Sequence, residues 1–190
     1  VGMGWNLDTG YIERNMHGTN SDLNDDTFSL LLNGVSTQLL PIEQSGTITR
    51  YATKDINYWT IEYDSSTGFW TVYDQTGNTY HFNDQVKTHT TEGCVTNAAN
   101  LNLVWRWSLS TATDMFGNTI TYSYYKQQKT ATCVNQVAVY PDTISYPNGQ
   151  YQIKFVREAR TDYQSAWEAT DSKVLFSTYR LDKIQMQQNA

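Results

Sequence analysis

Carboxylates close to aromatic residues are the first feature of this chain that could do chemistry. Hydrolysis of a glycosidic bond needs two carboxyl groups, one with a pKa raised by an apolar neighbour. Glu13, Asp55 and Glu62 lie near Tyr or Trp residues in the sequence. Most aspartates, however, occupy turn positions, where a carboxylate accepts hydrogen bonds from nearby backbone, and no pair stands out. The sequence therefore favours a structural role in turns over a catalytic role for most aspartates.

A calcium loop is the second chemical pattern to consider. Asp22, Asn24 and Asp26 have the one, three, five spacing of its oxygen ligands. Thr27 stands where the sharp turn needs glycine, and Asn33 stands where the bidentate glutamate belongs, so an EF-hand is excluded. The histidines and cysteines show no zinc spacing, and no Gly-x-Ser-x-Gly elbow or phosphate-cradling glycine loop occurs. We expect no enzyme activity, no metal and no cofactor.

The aromatic residues allow a binding function. Sugar rings stack on exposed tryptophans, whereas sheet proteins also bury tryptophans as ordinary packing. Packing is favoured here, because cross-strand aromatic pairs stabilise a sheet. The candidate ligand-facing aromatics of a carbohydrate-binding module are Trp59, Trp70, Trp105 and Trp107.

Cys94 and Cys133 allow either a disulfide or two free thiols. Both cysteines lie in Thr-, Asn- and Ala-rich stretches that resemble loops, which favours the disulfide.

A short phrase, Asp-x-x-Gly-Asn-Thr-x-x-aromatic, occurs twice. Glycine supplies the positive φ of a tight turn, asparagine tolerates the left-handed region, and the β-branched and aromatic residues that follow suit a strand. The phrase predicts two structural turns, each launching a strand. The turn residues are Asp74, Gly77 and Asn78 in the first copy and Asp114, Gly117 and Asn118 in the second.

Composition limits the partners. The chain has 190 residues, a net charge of −6, 14 Tyr and 6 Trp. This charge would repel nucleic acid and anionic lipid, and no run of about 18 apolar residues occurs that could form a membrane helix. We expect no nucleic acid partner and no membrane insertion. The opening Val1 predicts a fragment of a longer polypeptide.

Alternating patterns predict an all-β fold of antiparallel hairpins and meanders. Asn33-Gly34 predicts a type I′ hairpin between strands 28–32 and 35–40, closed by Pro41. Further strands are predicted at the following residues: 58–63, 69–73, 79–82, 103–109, 119–125, 136–140, 143–146 and 151–156. We expect the 103–109 strand to pair with 119–125 as a hairpin that carries Trp105 and Trp107 on one face.

Polar segments without period predict loops at 83–100 and 126–135. Helical spacing occurs only at 159–169 and 175–184, and we interpret the second as a strand. Residues 1–190 are expected to form one all-β unit, with a subdivision into 1–90 and 101–190 joined by the polar loop as the alternative.

Ordered motifs along nearly the whole chain resemble one family. Gly2-Met3-Gly4-Trp5-Asn6-Leu7, followed by Ile12-Glu13-Arg14, resembles the opening signature of the SpvB-type region shared by Tc-toxin B components and Rhs (YD-repeat) proteins. Further motifs keep the family's order, and they are Trp70-x-Val72-x-Asp74-x-x-Gly77, Trp107-x-Leu109 with Asp114-x-x-Gly117-Asn118-x-Ile120-x-Tyr122, Arg160-x-Asp162 and Arg180-Leu181-x-x-Ile184.

This resemblance implies a curved β-sheet that forms part of a hollow shell in a very large secreted or cell-surface protein. In toxin members the shell encloses a C-terminal effector, so the partners implied are the rest of the same polypeptide, that effector and other toxin-complex subunits. The alternative is a secreted carbohydrate-binding β module that uses the tryptophans named above.

Overall fold

The computed structural model describes residues 7–17, 23–55, 58–87, 89–90, 103–130, 134–162, 165–168, 173–176 and 178–188. Almost all regular structure in these ranges is β-strand. The strands are β1 (Tyr11–Asn15), β2 (Thr27–Leu32), β3 (Val35–Ser45), β4 (Ile48–Thr53), β5 (Thr60–Asp64), β6 (Phe69–Tyr73), β7 (Thr79–Phe82), β8 (Asp84–Lys87), β9 (His89–Thr90), β10 (Val104–Ser108), β11 (Thr111–Thr113), β12 (Thr119–Thr130), β13 (Val134–Ser145), β14 (Tyr151–Ala159), β15 (Ser165–Glu168), β16 (Lys173–Phe176) and β17 (Tyr179–Gln188). The all-β expectation is confirmed.

The strands build one curled antiparallel sheet. Its order is β17-β14-β13-β12-β11-β7-β6-β5-β4-β3-β2-β1-β10-β8, and β9 pairs with β13. Because β9 follows β8 closely in the chain, this pairing brings the far end of the strand order back to β13. A separate two-stranded sheet contains β15 and β16. No helix within the described ranges has the length and apolar character needed to cross a bilayer.

Burial concentrates on one face of the curled sheet. The main cluster consists of Ile12, Leu30, Leu32, Leu39, Ile61, Trp70, Val72, Tyr80, Phe82, Trp107 and Leu109. Alternate residues of β6 and β7 supply Trp70, Val72, Tyr80 and Phe82, as the period of two in a strand requires. Strands before and after residues 91–100 both contribute, since β1 pairs with β10 and β7 pairs with β11.

Hairpins with clear turn chemistry form where the sequence predicts them. Asn33 and Gly34 take φ values of 52° and 79°, the positive values that a type I′ turn requires. The meander of β5, β6 and β7 is antiparallel, with Val72 opposite both Ile61 and Tyr80. The strand interpretation of the tail is also confirmed by β17.

Two strand ends differ from the expectation. Pro41 does not close β3, which continues to Ser45 past a bulge at Ile42. A proline is tolerated there because a bulge disrupts the ladder locally. The helical spacing at 159–169 is also misleading, since Ala159 ends β14, residues 165–168 form β15, and the described residues 160–162 are not helical.

The predicted loops are partly strands. Residues 126–130 and 134–135 extend β12 and β13 into one long hairpin. The two strands predicted at 136–140 and 143–146 are a single strand, β13, and Asp142 is a bulge residue within it. Within 83–100, β8 pairs with β10 and β9 pairs with β13. Polar sequences can occupy strands because the ladder is formed by backbone groups, which every non-proline residue carries.

The hairpin partner of the 119–125 strand is also different from the expected one. β12 pairs with β11, while β10 pairs with β1 and β8. In β10 the register shifts around Trp105. Trp105 packs with Met16 and Val86, whereas Trp107 belongs to the main cluster.

Candidate functional site

Four turns meet at one edge of the sheet. Thr113 lies opposite both Thr79 and Thr119, so the turns before β7 and β12 are adjacent. The turn that connects β2 to β3 and the turn that connects β13 to β14 border the same cleft. We call this edge the turn rim, and it comprises Asn33–Gly34, Asp74–Asn78, Asp114–Asn118 and the 3-10 turn Pro147–Gly149.

The two Asp-x-x-Gly-Asn turns have the same internal hydrogen bonds. Asp74 Oδ1 accepts from the backbone N–H groups of Thr76 and Asn78 at 2.8 and 2.9 Å. Asp114 Oδ1 accepts from those of Phe116 and Asn118, both at 2.9 Å. In each turn the carboxylate therefore stabilises the backbone instead of facing solvent as a free base.

The asparagines act through their side chains, which the sequence did not reveal. Asn78 Nδ2 donates to Asp74 Oδ2 at 2.8 Å, and Asn118 Nδ2 donates to Asp114 Oδ2 at 2.7 Å. Neither asparagine has a positive φ, because the glycine before it takes that conformation. The signal that could have predicted this hydrogen bond is an asparagine four residues after an aspartate in both turns.

Gly77 and Gly117 supply the positive φ of the turns, 83° and 85°. A valine at Gly117 would be forced into the left-handed region, and we expect it to lower the free energy of unfolding by about 1–2 kcal/mol. Gly117→Asn should cost less, because asparagine tolerates this region. Gly77→Val should cost more, since its Cβ would lie 3.3 Å from Met115 Cβ. Urea unfolding measures all three, and an unchanged midpoint for Gly117→Val would contradict the assignment.

Tyr80 links two turns of the turn rim through its hydroxyl group. Its hydroxyl accepts from Asn33 Nδ2 at 3.2 Å and donates to Asp74 Oδ2 at 3.1 Å. The ring itself is buried in the main cluster. A cleft of about 540 Å³ lies beside this link, lined by Asn33, Asn78, Tyr80, Ala112, Thr113, Asp114, Asn118, Ile120, Tyr122 and Pro147.

Asp74 is strongly acidic. Partial burial alone would raise its pKa, but hydrogen bonds from Thr76 and Asn78 outweigh this effect and lower the pKa to about 2. The carboxylate therefore contributes stability that is fully present above the unfolded pKa of about 3.9 and is lost as pH falls through about 2.

We expect Asp74→Asn to destabilise the protein more at pH 6 than at pH 2, because protonation removes the same charge from the wild type. Chemical unfolding of both proteins across this pH range measures the difference. Asp114→Asn should show a difference of the same sign, since the pKa of Asp114 is also lowered, chiefly by the side chain of Asn118. An equal difference at both pH values would contradict the assignment for Asp74.

Three of the four candidate ligand-facing tryptophans are buried. Trp70, Trp105 and Trp107 are 0%, 3% and 1% exposed. Trp70 and Trp107 have ring centroids 5.9 Å apart in an edge-to-face arrangement, and Trp107 Nε1 donates to the Gly68 carbonyl at 2.8 Å. Burial agrees with the favoured interpretation of these three rings as packing and contradicts the alternative that they face a sugar. Trp59 is only partly buried and borders a second cleft.

An ion pair lies beside this aromatic cluster. Arg14 Nη1 donates to Asp26 Oδ2 at 2.7 Å, and the two side chains are 12% and 3% exposed. The Arg14 guanidinium lies 5.2 Å from the Phe28 ring centroid and 5.7 Å from that of Trp107. Asp26, the last residue of the calcium-like spacing, is thus engaged by an arginine.

The carboxylates considered for glycoside hydrolysis also have partners of their own. Glu62 pairs with Arg50 at 3.0 Å, and Glu13 pairs with Arg106 at 3.6 Å. Asp55 accepts from Thr37 Oγ1 at 3.3 Å. Within the described ranges no three His, Cys, Asp or Glu side chains are grouped to bind a metal ion. Cys94 and Cys133 lie outside the described residues, so their pairing stays a prediction.

The same fold occurs in solved structures. The N-terminal domain of effector protein SpvB from Salmonella typhimurium strain LT2 aligns with a TM-score of 0.71 at 15% identity, over 98% of this chain and 78% of that chain. A TcdB2-TccC3-TEV crystal structure aligns with a TM-score of 0.70 at 15% identity, over 97% of this chain and 11% of that chain. The Photorhabdus luminescens Tc holotoxin pore aligns with a TM-score of 0.68 at 14% identity, over 97% of this chain and 11% of that chain.

At these identities the structural likeness establishes the fold, a curled antiparallel sheet of the SpvB N-terminal type. A comparison with curated proteins gives no match. The family model described as "SpvB: Salmonella virulence plasmid 65kDa B protein" matches residues 44–176. Because this match covers well over half of the sequence, the chain belongs to the SpvB family, and the resemblance inferred from its motifs is confirmed.

Proposed function

We propose that this chain is a non-enzymatic structural segment of a large secreted or cell-surface protein of the Rhs and Tc-toxin type. In this proposal its sheet forms part of the wall of a shell that encapsulates a C-terminal effector. The observation that carries the proposal is the length of this chain relative to a chain of the same fold. The fold that spans 97% of this chain makes up 11% of a TcdB2-TccC3-TEV chain, so the same sheet occurs as a small part of a much larger toxin component.

Exposed apolar side chains on the last strand support a place inside a larger assembly. Among the described strands, β17 pairs only with β14, which leaves its other side as an edge. Ile184 and Met186 on β17 are 54% and 84% exposed. An edge strand with apolar side chains tends to pair with other chains unless something covers it. The rest of the same polypeptide or another toxin-complex subunit is the proposed cover.

The partners of the acidic side chains support a non-enzymatic role. A catalytic carboxylate has to reach a substrate with a pKa suited to proton transfer. Asp74 and Asp114 are occupied by their own turns and have lowered pKa values. Asp26, Glu13 and Glu62 pair with arginines. We propose that residues 1–190 act as one all-β unit with no cofactor, no nucleic acid partner and no membrane insertion.

An immunoblot of the native source tests whether the segment belongs to a large protein. An antibody against this chain would be used on culture supernatant and on the cell-surface fraction. The proposal predicts a band far above the 21.8 kDa of the chain, in either fraction. A single band near 21.8 kDa would contradict it.

A further inference from the structure

Trp59 differs from the buried tryptophans in its surroundings. It packs against the edge of the main cluster but remains only partly buried, and it borders a cleft of about 490 Å³. Among the described rings it takes part in none of the close ring pairs that join Trp70 and Trp107. Ile42 on the same cleft is 65% exposed. An aromatic ring and an apolar side chain thus line an open cleft, and packing in the main cluster does not account for their exposure there.

Arg50, an exposed side chain of this cleft, is hydrogen-bonded to two glutamates. Arg50 donates from Nε to Glu62 at 3.0 Å and from Nη1 to Glu43 at 3.3 Å. No described residue accepts a hydrogen bond from Arg50 Nη2. Asp55 Oδ2 accepts from Thr37, and no described donor contacts Asp55 Oδ1. Among the described residues, Arg50 Nη2 is thus an available donor and Asp55 Oδ1 an available acceptor at this cleft.

The charges around the cleft restrict the ligand class. Among the described residues that line the cleft, Arg50 is the cation, and Glu43 and Asp55 are carboxylates. Glu62, which pairs with Arg50, adds a third carboxylate. Because this excess of negative charge repels phosphate and carboxylate groups, a neutral ligand is favoured. A neutral sugar has both features that the cleft requires, an apolar C–H face for an aromatic ring and hydroxyl groups that donate and accept hydrogen bonds.

We propose that this cleft binds a neutral hexose unit of a glycan. The sugar's C–H face stacks on Trp59, and its hydroxyl groups accept from Arg50 Nη2 and donate to Asp55 Oδ1. This site is separate from the turn rim and independent of the proposed shell function. The hydrogen bonds from Arg50 to two glutamates orient its guanidinium, which lowers the ordering cost of binding.

Calorimetric titration of the 190-residue chain tests the site. The probes are cellotetraose, mannotetraose, galactotetraose and maltotetraose, all built of neutral hexose units. We expect saturable binding of at least one probe with a Kd of about 1 mM or tighter. Absence of binding for all four at about 10 mM would overturn the proposal.

Variants locate the binding. Trp59→Ala should weaken it about tenfold, and Trp59→Phe should weaken it less because a ring remains. Arg50→Gln changes an exposed side chain and should also weaken binding, while its melting temperature stays close to that of the wild type. Phe116→Ser, at an exposed residue of the turn rim, is the control and should bind as the wild type does. Unchanged binding in both Trp59→Ala and Arg50→Gln would overturn the proposal.

Discussion

Replacing Trp70 with alanine is expected to lower the free energy of unfolding by about 3–5 kcal/mol, because the change leaves a large cavity in a packed core. Trp70 is fully buried. Its ring centroid lies 5.0 Å from that of Phe28 and 4.8 Å from those of Tyr51 and Tyr63. These rings come from four different strands, so one substitution loosens contacts across the curl of the sheet. Urea unfolding with far-UV circular dichroism measures the loss.

Two substitutions serve as controls for Trp70→Ala. Trp70→Phe keeps most of the buried area and should cost less. Trp59→Ala removes the same side-chain type from a partly buried position, so it should also cost less. If Trp59→Ala destabilised the protein as much as Trp70→Ala, the aromatic cluster would not be the centre of the core.

Replacing Asp26 with asparagine is expected to lower the free energy of unfolding by about 3 kcal/mol, because it leaves the Arg14 charge buried without its partner. Burial raises the pKa of Asp26, and Arg14 offsets that rise only in part. The ionised pair is therefore a costly arrangement in which each member needs the other. Urea unfolding at pH 7 measures the effect.

A double variant separates the pair from its parts. Arg14→Met combined with Asp26→Leu removes both charges and should be less destabilising than Asp26→Asn alone. Arg50→Gln is the exposed control and should cost less than about 1 kcal/mol, since surface ion pairs contribute little. A double variant that is less stable than Asp26→Asn would contradict the account of the buried pair.

Local chemistry made several features predictable from the sequence. Asn33-Gly34 determines its own turn, because its φ values are positive at both positions. Asp74 and Gly77 act within five consecutive residues, and their turn forms as expected with a positive φ at Gly77. In each case the interacting groups are close neighbours in the chain, so the spacing of residue types was sufficient.

Long-range contacts were not predictable in the same way. Asn33 and Tyr80 meet only because the sheet curls, and Arg14 reaches Asp26 through the pairing of β1 with β2. The strand at Lys126–Thr130 was missed because its polar side chains give no alternation, while its pairing with β13 uses backbone groups. The register shift of β10 beside Trp105 also has no signal in the types of its side chains.

We propose that this sheet forms part of a wall around a C-terminal effector, and such a wall would protect the effector from protease. The native polypeptide that carries this segment would be purified under non-denaturing conditions and digested, with antibodies against this chain and against the C-terminal region used to follow each part. An enclosed C-terminal region should stay intact and co-purify with the segment until the protein is denatured. Digestion of the C-terminal region at the same rate before and after denaturation would contradict it.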